Sequence, residues 1–262
     1  GAITITAGAN VGSSDTDRLD IDSITGLVNI TTGDTATATV EKIFIRSNNA
    51  GDMNLGLLKI EDSDNSSADV VNLEVVGDII DGNTTAVNIS ARDIQLRLTA
   101  TADDENSSGF GTAADLIEVA GIAADKLSIL DATGTELTTD TSVKGVHISA
   151  ATALTLQEDI FTTNTEGTGI SLISGGVLTN AKALDVGSAG ATSSVGNIVL
   201  TGTSLVLSGA NTLSTQQTVF LSDTSGTLTL NVAGADGGAG DDLTAGELAT
   251  IRATSTGVNI TG

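Results

Sequence analysis

Gly196-Asn197-Ile198-Val199-Leu200-Thr201-Gly202-Thr203-Ser204-Leu205-Val206-Leu207-Ser208-Gly209 holds the pattern that decides the fold. It contains two apolar-x-apolar triplets, Ile198-Val199-Leu200 and Leu205-Val206-Leu207, separated by small polar residues. Alternation places the outer two side chains of each triplet on one face and the middle one on the other. Each triplet is therefore a short strand with one buried face. The Thr, Gly and Ser between them suit a corner that turns by less than a full reversal.

The same unit recurs in both directions from this stretch. Upstream stand Ile3-Thr4-Ile5, Leu19-Asp20-Ile21, Val28-Asn29-Ile30, Ile43-Phe44-Ile45, Leu58-Lys59-Ile60 and Leu73-Glu74-Val75, then Val87-Asn88-Ile89, Ile94-Gln95-Leu96 and Val146-His147-Ile148. Downstream stand Val219-Phe220-Leu221, Leu228-Thr229-Leu230 and Val258-Asn259-Ile260. Triplets pair at short spacing, and the pairs recur at roughly 21 to 32 residues, a period typical of stacked repeats. Tight hairpins would leave Asn-Gly or Asp-Gly between strands. Asn-Gly is absent, and Asp-Gly occurs only at Asp81-Gly82 and Asp236-Gly237. The expected architecture is all-β: one parallel β-solenoid over residues 1–262, a right-handed β-helix of about ten rungs, with tandem β-sandwiches as the alternative. At strand spacing such a rod is roughly 45 to 50 Å long. Thr112 to Asp131 carries apolar residues at spacings that also suit a helix, and is read as two rungs with Gly121 at the corner. The polar, acidic stretches 62–69 and 101–109 are read as loops protruding from the rod.

Composition agrees with a narrow aliphatic bore. Hydrophobic residues make up 39% of the chain but aromatics only 2%, with four Phe and no Trp or Tyr. Proline would interrupt a ladder by removing a donor, and there is none. Cysteine is also absent, which excludes disulfide scaffolds, thiolate metal sites and cysteine nucleophiles. Acidic residues number 33 against 10 Lys and Arg, a net charge of −23. So few and scattered cations cannot neutralise a phosphate backbone or hold an anionic lipid surface, so neither nucleic acid nor membrane insertion is expected. Copies of the chain and divalent cations are the partners this charge leaves open. The chain opens on Gly1-Ala2-Ile3 without an initiator Met, and is read as a processed or cut piece.

Val186 to Leu200, Gly196 to Gly209 and Val219 to Val232 resemble the rungs of large secreted bacterial β-helix proteins of the filamentous-haemagglutinin-like and autotransporter-like kind. Their rungs read Gly-Asn-Ile-x-Leu-x-x-x-x-Leu-x-Leu. The resemblance covers most of residues 140 to 262 and is one of rung style. It implies a right-handed β-helix with an adhesive or structural role, extracellular or at the cell surface. The family's secretion module and membrane barrel have no counterpart in these residues.

Candidate chemistry is sparse. His147 is the sole histidine, so neither a Ser-His-Asp arrangement nor a multi-histidine metal site can be assembled. As the middle residue of its triplet it is expected on the outer, exposed face. The acidic pairs Asp15/Asp17, Asp20/Asp22 and Asp103/Asp104 are read as solvated charge rather than a hydrolase pair, and no enzyme is expected. Asp62-x-Asp64-x-Ser66 opens like an EF-hand loop but lacks its Gly and Glu. Gly237-Gly238-Ala239-Gly240-Asp241-Asp242 opens like a calcium-binding nonapeptide, making Asp241 and Asp242 the candidate calcium ligands. No other cofactor is expected. Thr-x-Thr pairs such as Thr201/Thr203 suit outward strand positions, and the uneven rung length argues against an ice-binding array. Six sequons, at Asn29, Asn65, Asn83, Asn88, Asn106 and Asn259, stand against about four that the abundance of Ser and Thr provides by chance, which leaves glycosylation open.

Neither end resembles a cap. Ile3 and Ile5 begin a strand at once, and Val258 and Ile260 finish one. These four residues are the candidate assembly interface, because an uncovered solenoid end offers free backbone groups to a second copy. The functional expectation is an extracellular structural protein, self-assembling head to tail into a filament, sheath or surface layer. An adhesin stalk binding cells or glycans is the alternative, and a carbohydrate-active β-helix enzyme ranks third.

Overall fold

The computed structural model describes residues 1–21, 26–33, 40–48, 51–61, 69–98, 109–120, 125–131, 133–137, 143–162, 168–186, 196–207, 213–215, 217–225, 251–253 and 257–261, the last two as backbone alone. All pairing between strands is parallel, and no helix occurs among the described residues. The fold is a parallel β-solenoid, which excludes the sandwich alternative.

Three sheets form its faces. The first follows Ile3–Ala7, Val28–Thr32, Met53–Ile60, Ile89–Ser90, Ile117–Ala120, Val146–Ala150, Thr168–Ser174, Asn197–Gly202, Thr218–Asp223 and Gly257–Thr261, with Ile79–Asp81 paired beside Met53–Ile60. The second follows Leu19–Asp20, Lys42–Ser47, Val70–Val75, Asp93–Leu98, Asp125–Leu130, Leu154–Leu156, Val177–Asn180 and Ser204–Leu207. A third face forms only later, from Ile160–Thr162, Leu184–Val186, Leu213–Thr215 and Ile251–Ala253. The first sheet has eleven strands, ten of them on one continuous path, the second eight and the third four, so the full turns number fewer than the ten rungs expected. Thr112 to Asp131 forms two strands, as its spacing allowed.

The bore is filled by identical or near-identical residues stacked from turn to turn. Val146, Ile170, Ile198 and Val219 make one column, and Ile148, Leu172, Leu200 and Leu221 a second beside it. All eight are buried. Branched aliphatics suit this because register places each on its own kind, and each contributes about 1.5–3 kcal/mol on burial. Ile160, Leu184 and Leu213 close the third side.

Acidic side chains serve the corners. Asp52 Oδ1 accepts the Asp78 N–H at 3.2 Å, and Asp78 Oδ1 accepts the Gly109 N–H at 2.7 Å, one turn further on. A second such line runs from Glu136 Oε1 to the Asp159 N–H, 3.0 Å, and from Asp159 Oδ1 to the Ala183 N–H, 2.8 Å. Each carboxylate therefore satisfies a backbone donor where the ladder is interrupted. The two protruding loops proposed from composition lie outside the described residues, except at their ends. There Asp69 is buried, accepting the Glu41 N–H at 3.0 Å, and Gly109 is buried on Asp78, so neither residue protrudes.

Strands also leave a sheet and return to it two residues further along the same partner strand. Val11 pairs with Ile43 and Leu19 with Ile45, so 12–18 arch over the outside of Lys42–Ser47. Phe110 pairs with Val146 and Ile117 with Ile148, so 111–116 arch over Val146–Ala150 in the same way. The hydrogen bonds match: Phe44 N–H donates to Val11 C=O and His147 N–H to Phe110 C=O, at 2.7 and 2.8 Å. Both detours open on a glycine, Gly12 at φ 68° and Gly111 at φ 65°. A Cβ on Gly12 would run into the Phe44 carbonyl, and one on Gly111 would lie 2.7 Å from the His147 carbonyl, so the turn requires glycine twice over.

Candidate functional site

Three places were candidates for function: the terminal turns, the covered outer face, and the acidic residues. Ile3–Ala7 pairs along one edge only, with Ile3 on Val28 and Ile5 on Ile30, and no described strand lies on its other edge. Ile3, Ile5 and Ala7 pack against the core yet stay half-buried, whereas Val28 and Ile30 one turn inward are fully enclosed. Among the described residues, the bore is apolar and uncovered at this turn. At the other end Gly257–Thr261 pairs with Thr218–Ser222, placing Val258 beside Val219 and Ile260 beside Leu221 in the ladder. All four candidate interface residues thus belong to the first sheet, at its two extremes.

Beneath the 12–18 detour lies a charged network that alternation assigned to solvent. The Arg18 guanidinium contacts Glu74 at 2.5 Å, Asp15 at 2.8 Å and Asn72 Oδ1 at 2.8 Å, and lies 5.9 Å from the centre of the Phe44 ring. Arg97 reaches Asp15 at 3.0 Å, and Asn72 donates to Gln95 at 2.8 Å on the next strand. Arg18, Glu74 and Arg97 side chains are only 5–7% exposed. Burial lowers the Arg18 pKa from its ordinary value, against the opposing charge of Glu74. Glu74 faces a guanidinium and Asp15 two, so this cluster holds neither a free base nor a free acid. Its chemistry is structural: it joins the first four turns through their outer faces.

His147, expected on the exposed face, is instead 6% exposed. It does point outward, but 111–116 cross over its strand and cover it. Gly145 makes room for the ring, since a Cβ there would lie 2.9 Å from Nε2. Nδ1 has no hydrogen-bond partner, and burial lowers the imidazole pKa to about 4. The ring is enclosed beneath the arch, beside the equally buried Ser171 of the next strand in the ladder. Asn88 is fully buried, so its sequon is inaccessible in the folded chain. Asp241, Asp242, Asp62 and Asp64 lie outside the described residues.

No helix among the described residues is long and apolar enough to cross a membrane. No protein-family model, curated protein or solved structure matches the chain. What the geometry defines is a class, the parallel β-solenoid.

Proposed function

We propose that this chain is a non-enzymatic structural subunit, extracellular or on the cell surface, whose copies stack end to end into a filament, sheath or surface layer. One observation carries the reading: among the described residues, Ile3 and Ile5 leave the aliphatic bore half-open, while the turn below is sealed. The last strand carries the matching Val258-Asn259-Ile260 at the opposite extreme of the same sheet. Setting Val258 against Ile3 and Ile260 against Ile5 of a second copy continues the parallel ladder and buries both apolar pairs. Such a contact is heterologous and does not close, so it propagates. A charge of −23 on each copy opposes it, and added salt or divalent cations relieve the repulsion.

Sedimentation velocity and negative-stain microscopy of the full chain, with and without millimolar Mg²⁺, test this reading. Rods lengthening with concentration are expected, and Ile3→Asp with Ile5→Asp should return them to single particles with unchanged circular dichroism. Single particles at every concentration, or rods indifferent to the double substitution, refute end-to-end stacking. Single particles that bind cells or glycans favour the adhesin stalk.

A further inference from the structure

Backbone ladders join each turn only to its neighbours, but side chains of 12–18 reach further. This segment belongs to the first turn: residues 8–11 separate it from Ile3–Ala7, and it leads into Leu19–Asp20. Counted along the second sheet, the Arg18 guanidinium passes the Phe44 ring of the second turn and contacts Asn72 and Glu74 on the third. Asp15 goes one turn further, to Arg97 on the fourth. Glu74 and Arg97 are ladder partners, as are Asn72 and Gln95, which share a side-chain hydrogen bond of 2.8 Å. A Cβ at Gly134 would lie 2.5 Å from the Arg97 Cζ, so Gly134 sits directly against that guanidinium.

Asp15 is where these contacts converge. Its Oδ1 accepts from Arg18 at 2.8 Å and its Oδ2 from Arg97 at 3.0 Å, while Arg18 also donates to the Asp15 carbonyl at 2.9 Å. The Asp15 side chain is 52% exposed, but those of Arg18 and Arg97 are only 5% and 6% exposed. Charge-assisted hydrogen bonds to donors so far removed from water are strong and hold a fixed geometry. One surface carboxylate thus fastens the first turn to the fourth, across 82 residues of sequence.

The first turn has few other means of staying ordered. Ile3–Ala7 pairs along one edge among the described residues, and Leu19–Asp20 contributes a ladder of two residues. A terminal level with a single neighbour frays more readily than an interior one. A frayed edge must be ordered before a strand can add to it, and that ordering subtracts from the free energy of association.

We propose that Asp15 is a positioning residue for end-to-end stacking: by clamping Arg18 and Arg97 it ties the first turn to the third and fourth, and keeps the Ile3–Ala7 edge ordered for the strand of a second copy. Its purpose rests on the stacking described above, whereas the ordering itself is measurable in single particles. Asp15 lies outside the docking edge, so it acts on order and not on contact.

Hydrogen exchange of the dilute full chain, beside sedimentation velocity across concentration, provides the test. The Ile3, Val11 and Ile21 amides donate to the Leu27, Lys42 and Arg46 carbonyls at 2.9, 2.9 and 2.7 Å. Asp15→Ala should speed their exchange by about tenfold to a hundredfold, the equivalent of a lost hydrogen bond to a charged group. Amides of Thr168–Ser174 and Asn197–Gly202 should keep wild-type rates, and the concentration at which rods appear should rise by a similar factor. Asp15→Asn, which keeps an acceptor oxygen, should fall between. Glu61→Gln, which removes an equal charge from an exposed pair with Lys59, should match wild type in both measurements. Unchanged exchange at Ile3, Val11 and Ile21, or a rise spread evenly over the chain, overturns the proposal. An unchanged rod threshold in a variant whose first turn does fray overturns it too. If wild type forms no rods, stacking itself fails, and exchange still decides whether Asp15 holds the first turn.

Discussion

Acidification should destabilise this protein through His147 well before its ordinary carboxylates protonate. Burial lowers the imidazole pKa from 6.5 to about 4. Between these values the unfolded chain binds a proton that the folded chain does not, so stability falls as pH drops from about 6.5 toward 4. The interval multiplied by about 1.4 kcal/mol per pH unit amounts to about 3 kcal/mol, lost progressively across the window. The carboxyls of Asp93, Asp115, Glu118 and Asp185 act in the opposite sense. Burial raises their folded pKa values, so their destabilisation at neutral pH is relieved as pH falls through them. A bare pH profile therefore mixes both effects, and the difference between wild type and His147→Leu isolates the imidazole. Urea midpoints at pH 7.0, 6.0 and 5.0 should show wild type losing stability relative to the variant at each step. Because His147 is the only histidine, one proton NMR signal from its Hε1 reports its titration directly. A midpoint near 6.5, or parallel urea profiles for the two proteins, refutes the claim that the 111–116 arch seals the ring from water.

Other perturbations separate the parts of the fold. Gly12→Ala and Gly111→Ala should each cost about 1–3 kcal/mol in urea unfolding, since both need positive φ and have no space for Cβ; Gly8→Ala, with nothing within 4 Å, should be neutral. Arg18→Ala should cost about 3–5 kcal/mol by leaving Glu74 buried and unpaired, whereas Arg18→Met combined with Glu74→Leu should recover most of the loss; equal losses in the two would count against a buried pair. Leu172→Ala in the bore should cost about 2–5 kcal/mol, and Val206→Ala, 42% exposed, should change stability by less than about 0.5 kcal/mol. Asp78→Ala removes a charged acceptor from the Gly109 N–H and should cost about 1.5–3 kcal/mol, while Asp78→Asn, which keeps an acceptor oxygen, should cost less.

Period-two alternation made the strands and their inner faces legible. Ile198-Val199-Leu200 and Leu205-Val206-Leu207 fall within Asn197–Gly202 and Ser204–Leu207, with their outer pairs buried. The helical spacing over Thr112 to Asp131 lost to stacking, because Ile117 and Leu127 fit onto Ile148 and Ile94 in neighbouring turns. What alternation cannot say is whether an outward side chain stays wet. Phe44, Glu74, Arg97 and His147 all point outward, and all are covered by segments that no apolar period marks. The signal for such cover was weak but present: Val11-Gly12 and Phe110-Gly111 each place a glycine directly after a lone apolar residue. The tie from Asp81 through Asn88 to the Glu118 N–H was beyond reach, since it depends on how many residues each arch contains and on where the strand resumes.

The one-way stacking of strands also dictates how the molecule comes apart. Each level touches only the level before it and the level after it, so its folding resembles a linear chain of coupled switches. A lesion at Leu172 severs such a chain in the middle and lets the two pieces melt at separate temperatures, whereas a lesion at Ile3 merely shortens it by frayed ends.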